Sequence, residues 1–317
     1  GTLAAGQWEE IQATSPDVLT GGTRGMFVGG WNSSEMDTID YVNIDTTGNA
    51  IDFGNLTRTR SESGGFANRT RGLAAGAPIP GSDNTIDFWT ISSTGNAQDF
   101  GDLLAATGNA QNISGFANQT RGVFTGGNAT PGGRENKIQY LTIASTGNTQ
   151  EFGSLSSATS GAGSGIASKT RGFTHGGTIN PGTNVNTIEY LEISTLGNSA
   201  NFGDLTYTAH SKTGASSATR GLSFAGSAGD ATIDYITMAT LGDAIEFGEL
   251  TVAARYAASS GSSSTRAVVG GGGFPSTNTV IDYVQIATTG DAIDFGDLTA
   301  TRSLMMQGCF SNGHGGL

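Results

Sequence analysis

Short stretches of alternating hydrophobic and polar residues recur along the chain. Residues 39–44 read IDYVNI and alternate as a strand with one packed face and one polar face does. In the segment 50–56 (AIDFGNL), Ile51, Phe53 and Leu56 are expected to share one packing layer. No helical period is visible among these stretches. The pattern therefore predicts short β-strands separated by turns.

A Phe-Gly pair marks each copy of this pattern. The residue before it is Asp in three copies, Glu in two and Asn in one. An Asp-Phe-Gly triplet in a protein kinase supplies an aspartate that binds magnesium, but the asparagine and the sixfold repetition argue against a metal ligand here. We expect each phenylalanine to anchor a strand in the core and the glycine to bend the chain. The six anchors are Phe53, Phe100, Phe152, Phe202, Phe247 and Phe295.

Three further landmarks return with a similar spacing. The first is Thr-Arg-Gly, whose copies begin at residues 23, 70, 120, 170 and 219, with Thr-Arg-Ala at 265. The second is isoleucine, an acid and an aromatic residue, with Gln139 in place of the acid in the third copy. The third is a Gly-Asn or Gly-Asp pair, for which a two-residue hairpin is expected. Periods of about 40 to 50 residues without helical patterning indicate a β-propeller or a related array.

Each repeat unit is expected to contain four antiparallel strands. The small-residue segment, such as 61–68 (SESGGFAN), is expected to be the innermost strand, because only small side chains fit near the axis of a propeller. Six units predict six blades. Residues 303–311 (SLMMQGCFS) are expected to close the ring as a fourth strand of the first blade, with 18–22 as the competing segment. The predicted propeller spans 23–317, preceded by an arm or linker at 1–22.

Composition narrows the classes of partner. The chain has 317 residues, of which 51 are Gly, and only 13% are charged, which favours tight turns and closely packed backbones. The net charge of −12, with only 15 Lys and Arg, argues against a nucleic-acid partner. No apolar run is long enough to cross a membrane, so no membrane insertion is expected.

Paired glycines followed by a tyrosine or phenylalanine give the unit a resemblance to the kelch repeat. The unit departs from kelch repeats by placing Phe where they usually carry Trp, and two units have Ala-Gly in place of the double glycine. The resemblance implies an all-β fold, a six-bladed kelch-like β-propeller. The matching glycine pairs are at 29–30, 126–127, 176–177 and 270–271, and the aromatic residues at 41, 88, 140, 190, 235 and 283.

The full set of landmarks (TRG, GG, TIDY, TTGNA, DFGDL and the final SNGHGGL) looks like the kelch-like repeat proteins of tailed bacteriophages, especially phages of marine cyanobacteria. This resemblance implies a virion structural protein, such as a tail fibre, spike or head appendage, located in the virion and bound to other virion proteins. It also implies attachment to a host surface glycan or protein, with a homo-oligomer within the virion left open. Two alternatives remain: a purely architectural decoration or connector, and a cellular kelch-type interaction module.

Enzymatic chemistry has little support in the sequence. A copper oxidase built on kelch repeats needs clustered His and Tyr ligands with a cysteine cross-link, whereas His175, His210 and His314 lie in different units and Cys309 is the single cysteine. A glycosidase needs an acid pair that stands out from the repeat, and none does, which leaves open only a pair formed across loops. The acids also lack the dense alternation of a calcium loop. We expect no enzyme activity, no catalytic residue, no metal and no cofactor.

The repeated arginines have two interpretations. They form either a cationic ring for an anionic ligand, or structural pairs with the repeated acids, which suit a planar guanidinium; the second is favoured. The arginines are Arg24, Arg71, Arg121, Arg171, Arg220 and Arg266, and the acids are Asp40, Asp87, Glu189, Asp234 and Asp282.

Variation among the units predicts where a ligand binds. The loops after the paired glycines differ in length and chemistry, and strand alternation places them on one face together with the links from each outer strand to the next inner strand. The Gly-Asn hairpins, which vary little, fall on the opposite face. Exposed Trp, Phe and Arg on variable loops contribute most to recognition. The candidate ligand-binding residues are Trp31, Arg134, Glu135 and Phe274 from the loops, and Tyr207, His210 and Tyr256 from the links.

Overall fold

A computed structural model describes residues 23–62, 64–76, 84–104, 111–129, 133–224, 226–227, 231–253, 256–273 and 277–317. Across these ranges the chain is all β, without a helix, and its strands form a propeller-like ring of small sheets. The described part therefore contains no helix that could cross a membrane. The expected arm 1–22, the alternative closing segment 18–22 and Phe274 lie outside the described residues.

The strands follow the six sequence units in order. The first unit contains β1 (Arg24–Asn32), β2 (Ser34–Asn43) and β3 (Ile51–Arg60). The second contains β4 (Gly64–Ala67), β5 (Arg71–Ala75), β6 (Thr85–Thr90) and β7 (Gln98–Asp102). The third contains β8 (Ser114–Ala117), β9 (Arg121–Thr125), β10 (Asn128–Ala129), β11 (Gly133–Arg134), β12 (Lys137–Thr142) and β13 (Gln150–Ser154). The fourth unit contains β14 (Thr159–Ser160), β15 (Gly163–Ala167), β16 (Arg171–His175), β17 (Thr178–Ile179), β18 (Thr183–Asn184), β19 (Thr187–Glu192) and β20 (Ala200–Asp204). The fifth unit contains β21 (Thr213–Ser216), β22 (Arg220–Phe224), β23 (Thr232–Thr237) and β24 (Ile245–Glu249). The sixth contains β25 (Ser259–Ser262), β26 (Arg266–Gly270), β27 (Asn278–Gln285) and β28 (Ile293–Arg302).

Most units form separate sheets in the expected antiparallel order. Sheets of four strands are β4-β5-β6-β7, β8-β9-β12-β13 and β25-β26-β27-β28, whereas the first sheet has three strands, β1-β2-β3. The fourth and fifth units share one eight-stranded sheet, because a parallel bridge between Ser164 and Thr213 joins their small-residue strands. These strands are buried throughout and contact one another from unit to unit, as expected for innermost strands.

The Phe-Gly landmark is a bulge that buries the phenylalanine. In the first unit Ile39 of β2 pairs with Gly54 of β3, and the next residue, Asp40, pairs with Asp52. Phe53 is therefore the extra residue of the bulge. Phe53 is 3% exposed, while the acid before it points to solvent. The predicted anchor and bend are therefore confirmed. Ile51 is 59% exposed, so its expected place in the packing layer is wrong, because it lies before the bulge at which Phe53 is buried.

The Gly-Asn pairs do not form the expected two-residue hairpins. The last paired residues before the first hairpin are Tyr41 and Ile51, so the loop is longer, and its glycine and asparagine pair with the preceding unit instead. In the first unit the Gly48 N–H donates to the Phe295 carbonyl at 2.9 Å, and the Asn49 Oδ1 accepts from the Asp297 N–H at 3.1 Å. Equivalent bonds join every successive pair of units. The bond from first to sixth unit closes the ring.

The segment 303–311 lies beside β1 but does not form a continuous strand. Trp31 bridges Ser303 and Gly25 bridges Ser311, both antiparallel. Between these bridges it stays hydrogen-bonded to β1, where the Met306 N–H donates to the Val28 carbonyl at 3.1 Å, and it also makes parallel bridges with β4 at Gln307 and with β25 at Cys309. It therefore fills the space among the inner strands, rather than adding a regular fourth strand to the first sheet.

The final residues cover the axis on the face of the hairpins. The His314 Nε2–H donates to the Ala67 carbonyl of the second unit at 2.6 Å, and the Gly315 N–H donates to the Ser216 carbonyl of the fifth unit at 2.9 Å. His314 Nδ1 accepts from the Gly316 N–H at 3.1 Å, which requires the neutral imidazole. Burial lowers the pKa of His314 to about 4. The closing residues thus tie together units on opposite sides of the ring.

Candidate binding surface at the loop face

Six residues with left-handed backbones surround the axis on the face of the variable loops. Each begins the approach to an inner strand, and in five of them the N–H donates to the carbonyl of the counterpart in the preceding unit, at 2.6 to 3.0 Å. The circle closes through the Met305 N–H, which donates to the Ala257 carbonyl at 2.8 Å. Non-glycine residues adopt this conformation at a cost of about 1 to 3 kcal/mol. The members of this axial ring are Glu62, Asn112, Gly161, Ser211, Ala257 and Leu304.

Side chains from four units interact beside the axial ring and form a polar cluster. The His210 and Tyr256 rings lie edge to face with centroids 5.4 Å apart, and His210 Nδ1 is 2.9 Å from the Ser211 hydroxyl. Burial, and then the charge of Arg134, lower the pKa of His210. Burial raises the pKa of Tyr256; a hydrogen bond with Ser211 acts in the opposite direction, and the Glu62 carboxylate raises the pKa further. The polar cluster comprises Arg134, His210, Ser211, Tyr256 and Glu62.

Arg134 is held in place by the fourth unit. Its Nε donates to the Ser160 hydroxyl at 3.1 Å and its Nη1 to the Asn180 Oδ1 at 2.9 Å. These bonds fix the guanidinium while leaving it half-buried, so it can present further N–H donors to a ligand. Glu135 has a scaffold role: its N–H donates to the Gly127 carbonyl at 2.9 Å, and its carboxylate is 3.5 Å from Lys137.

Glu62 supplies a negative charge to the loop face and was not among the residues predicted from the sequence. Burial raises its pKa, and the nearby Glu35 carboxylate raises it further. No acid pair stands out from the repeat in the sequence, which leaves open a pair formed across loops, and Glu35 of β2 acts on Glu62 in this way. Glu62 is the only acid among the six members of the axial ring, but this ring is visible only in the structure, so the sequence alone offered no signal for it.

The remaining predicted site residues are spread over the same face. Trp31 is 39% exposed, and its backbone is fixed by hydrogen bonds in both directions with Ser303, at 2.7 and 3.0 Å. The Tyr207 hydroxyl accepts from the buried Lys212 ammonium, which also lies 4.0 Å from the centre of its ring. Tyr207 therefore shields a buried charge, whereas Trp31 offers a rigid apolar surface.

The repeated arginines form neither of the arrangements expected from the sequence. Each lies over the aromatic ring of its own unit, with 4.3 to 4.9 Å from guanidinium carbon to ring centre, and donates to a backbone carbonyl of the next unit. For Arg24 this acceptor is Ile91, at 2.6 Å. Arg171 also pairs with Glu192 at 2.8 Å. The expected pairing with the repeated acids is wrong, because the guanidinium is turned to the next unit's hairpin. The other acceptors are Ile143, Ile193, Met238, Ile286 and Ile44.

The repeated acids instead join each unit to the preceding one. The Asp87 carboxylate accepts from the Thr57 N–H at 2.9 Å and from its hydroxyl at 2.6 Å. Asp234, Asp282 and Asp40 accept in the same way from Thr206, Thr251 and Thr299. These acids are therefore structural.

Within the described ranges, no group of three or more His, Cys, Asp and Glu residues is arranged to hold a metal ion. Cys309 is buried, which raises the pKa of its thiol. The loop face is the surface where non-repeating, half-buried polar and aromatic side chains converge. No family model matches the chain, and no curated protein is significantly similar to it in sequence.

Proposed function

We propose that the chain is a non-enzymatic virion structural protein, a tail fibre, spike or appendage, that binds a host surface glycan or protein through its loop face. The observation that carries the binding proposal is the polar cluster. The hairpin face repeats from unit to unit, whereas Arg134, His210 and Tyr256 break the repeat; His210 and Tyr256 are in contact, and the charge of Arg134 acts on His210. The virion assignment rests on the resemblance of the repeat landmarks to phage proteins.

The chemistry of the loop face favours a polyhydroxylated ligand. Arg134 offers N–H donors and Glu62 offers acceptors, which suits hydroxyl groups that both donate and accept. Tyr256 and the exposed Trp31 add apolar surfaces of the kind that cover the faces of sugar rings. A few oriented polar groups beside aromatic side chains are typical of small-ligand recognition.

We further propose that the ring has six blades, with the eight-stranded sheet counted as two. The repeated hydrogen bonds between successive units support this number, as does the axial ring, in which Leu304 takes the sixth position. In this arrangement the segment 303–311 replaces the inner strand of the first blade. A high-resolution experimental structure with another number of blades would overturn the count.

A glycan array and a host-cell binding assay test the function. We expect the chain to bind, and Arg134→Ala together with Tyr256→Ala to weaken binding at least tenfold. Leu241→Ser is the matched control, because Leu241 is 61% exposed on the opposite face, and it should bind as the unaltered chain does. Absence of binding, with the loop face covered by another virion protein, would favour the architectural alternative, and hydrolysis of the bound glycan would contradict a non-enzymatic role.

A further inference from the structure

Two junctions between units contain a buried arginine that completes the contacts of the repeated acid. Between the first and second units, Arg60 Nη2 lies 3.2 Å from Asp87 Oδ1, and both side chains are fully buried. Arg60 Nη1 donates to the carbonyls of Gly76 and Thr85 at 3.1 and 3.0 Å. One carboxylate and two carbonyls therefore surround this guanidinium.

The junction between the sixth and first units repeats this arrangement. Arg302 Nη2 pairs with the buried Asp40 carboxylate, and its Nη1 donates to the carbonyls of Gly29 and Thr38 at 3.4 and 3.3 Å. Three groups define what we call the arginine socket. They are the carboxylate of the repeated acid, the carbonyl of the glycine five residues after the repeated arginine, and the carbonyl of the threonine two residues before the acid.

The junction between the third and fourth units has the socket but not the arginine. Glu189, Gly176 and Thr187 stand at the positions of Asp87, Gly76 and Thr85, whereas Thr159 stands at the position of Arg60. A cavity of about 80 Å³ occupies this place, and its lining includes all four residues. Since a water needs about 10 to 15 Å³ of such space, the cavity can hold a planar group of four heavy atoms.

The carboxylate in this cavity lacks a cation. Glu189 is 8% exposed and accepts from the Ser156 N–H at 3.2 Å and the Ser199 hydroxyl at 3.1 Å. Among the described residues it has no ion pair. Burying a carboxylate without a counter-charge is costly. At the preceding junction, the acid position carries the neutral Gln139, so the charge itself is absent there.

The cavity is accessible from solvent. Ser156 and Ser157 line it and are exposed, while Thr159, Thr174 and Glu189 form its buried part. The hairpin of β17 and β18 contributes Ile179 and Val185, which provide apolar walls. A planar cation entering past the serines would therefore meet the carboxylate and the carbonyls inside.

We propose that this vacant arginine socket binds the guanidinium group of a ligand, either a small molecule or an arginine side chain of a partner protein. The ligand would take the place that Arg60 and Arg302 fill at their own junctions, with its N–H groups directed to the Glu189 carboxylate and to the carbonyls of Gly176 and Thr187. This site is separate from the polar cluster, and it does not depend on the function proposed above.

Calorimetric titration with methylguanidinium and with N-acetyl-arginine amide tests the proposal, with tetramethylammonium as a cation that cannot donate hydrogen bonds. We expect one saturable site for methylguanidinium and none for tetramethylammonium. Binding of both guanidinium probes indicates that a partner's side chain can enter, whereas binding of methylguanidinium alone restricts the site to small molecules.

Two variants locate the site. Glu189→Gln should fold, because Gln139 occupies the equivalent position in the third unit, and it should bind methylguanidinium at least tenfold more weakly. Thr159→Arg should fill the socket, abolish binding and raise the melting temperature. Arg60→Ala is the matched control and should create a second site of the same kind. Equal binding by the unaltered chain, Glu189→Gln and Thr159→Arg, or no saturable binding by the unaltered chain, would overturn the proposal.

Discussion

Replacement of Arg60 by methionine is the sharpest test of how the units are held together. Methionine retains most of the aliphatic volume but leaves the fully buried Asp87 carboxylate without a cation and removes the donors to the Gly76 and Thr85 carbonyls. Breaking a buried ion pair by removing one partner costs about 3 to 5 kcal/mol. For 317 residues this corresponds to a fall in melting temperature of roughly 5 to 8 °C.

Calorimetric melting and urea unfolding measure this loss. The double variant Arg60→Met with Asp87→Asn should recover most of the stability, because the uncompensated charge is removed together with its partner. Arg302→Met should cost a similar amount, since Arg302 pairs with Asp40 in the same way. A loss below about 1 kcal/mol for Arg60→Met, or a double variant no more stable than the single one, would refute this reasoning.

Three further predictions concern the ring and its axis. An added Cβ at Gly54 would lie 2.4 Å from the Gly95 carbonyl oxygen, whereas one at Gly95 meets nothing within 4 Å. Because both glycines have similar positive φ angles (148° and 151°), the backbone strain of an alanine is matched, and Gly54→Ala should melt at a clearly lower temperature than Gly95→Ala. Equal melting temperatures would contradict the contact. Burial lowers the pKa values of His175 and His314 to about 3 and about 4, below about 6.5 for an unfolded histidine. Between these pKa values the unfolded chain binds more protons than the folded chain, so the free energy of unfolding should fall as the pH decreases below 6.5, by about 2 kcal/mol per histidine at pH 5. His314→Gln should reduce this pH dependence, measured by urea unfolding. An unchanged pH dependence would contradict the burial of a neutral His314. Because Cys309 is buried, a thiol reagent should label it slowly in the folded chain and faster after removal of residues 312–317. Fast labelling of the intact chain would show that these residues do not cover the axis.

Features set by local sequence were predictable. Phe53 and its counterparts were recognised as anchors because a bulge and a buried aromatic residue depend on a few neighbouring positions. The exposed acid before each phenylalanine followed from its tolerance of Glu and Asn. The small-residue inner strands followed from the limited space near the axis of a ring.

Features set by contacts between units were not predictable in the same way. Arg24 was expected to pair with an acid, but its partner is the Ile91 carbonyl of the next unit. The arginines that do pair with the repeated acids, Arg60 and Arg302, lie outside the landmarks. Asn49 was expected in a hairpin turn, yet it accepts from Asp297 across the junction that closes the ring. A sequence period gives the spacing of units but not which atoms meet between them.

The candidate site was predicted as separate residues rather than as a cluster. Arg134 was chosen as an arginine on a variable loop, and His210 and Tyr256 as residues of the links on the same face; the structure places His210 against Tyr256, with the charge of Arg134 acting on His210. Glu62 and Ser211 were missed because single residues in the links resemble the variation of any loop. Their significance depends on the axial ring, which no local pattern reveals.

Hydrogen–deuterium exchange of the chain, with and without the glycan that binds best on the array, tests most directly whether the loop face is the binding surface. We predict slower exchange in the peptides that carry Arg134, His210 and Tyr256, with no change in the hairpins that contain Leu196 and Leu241. Slower exchange confined to the hairpins or to the outer strands would contradict the proposed location of the ligand.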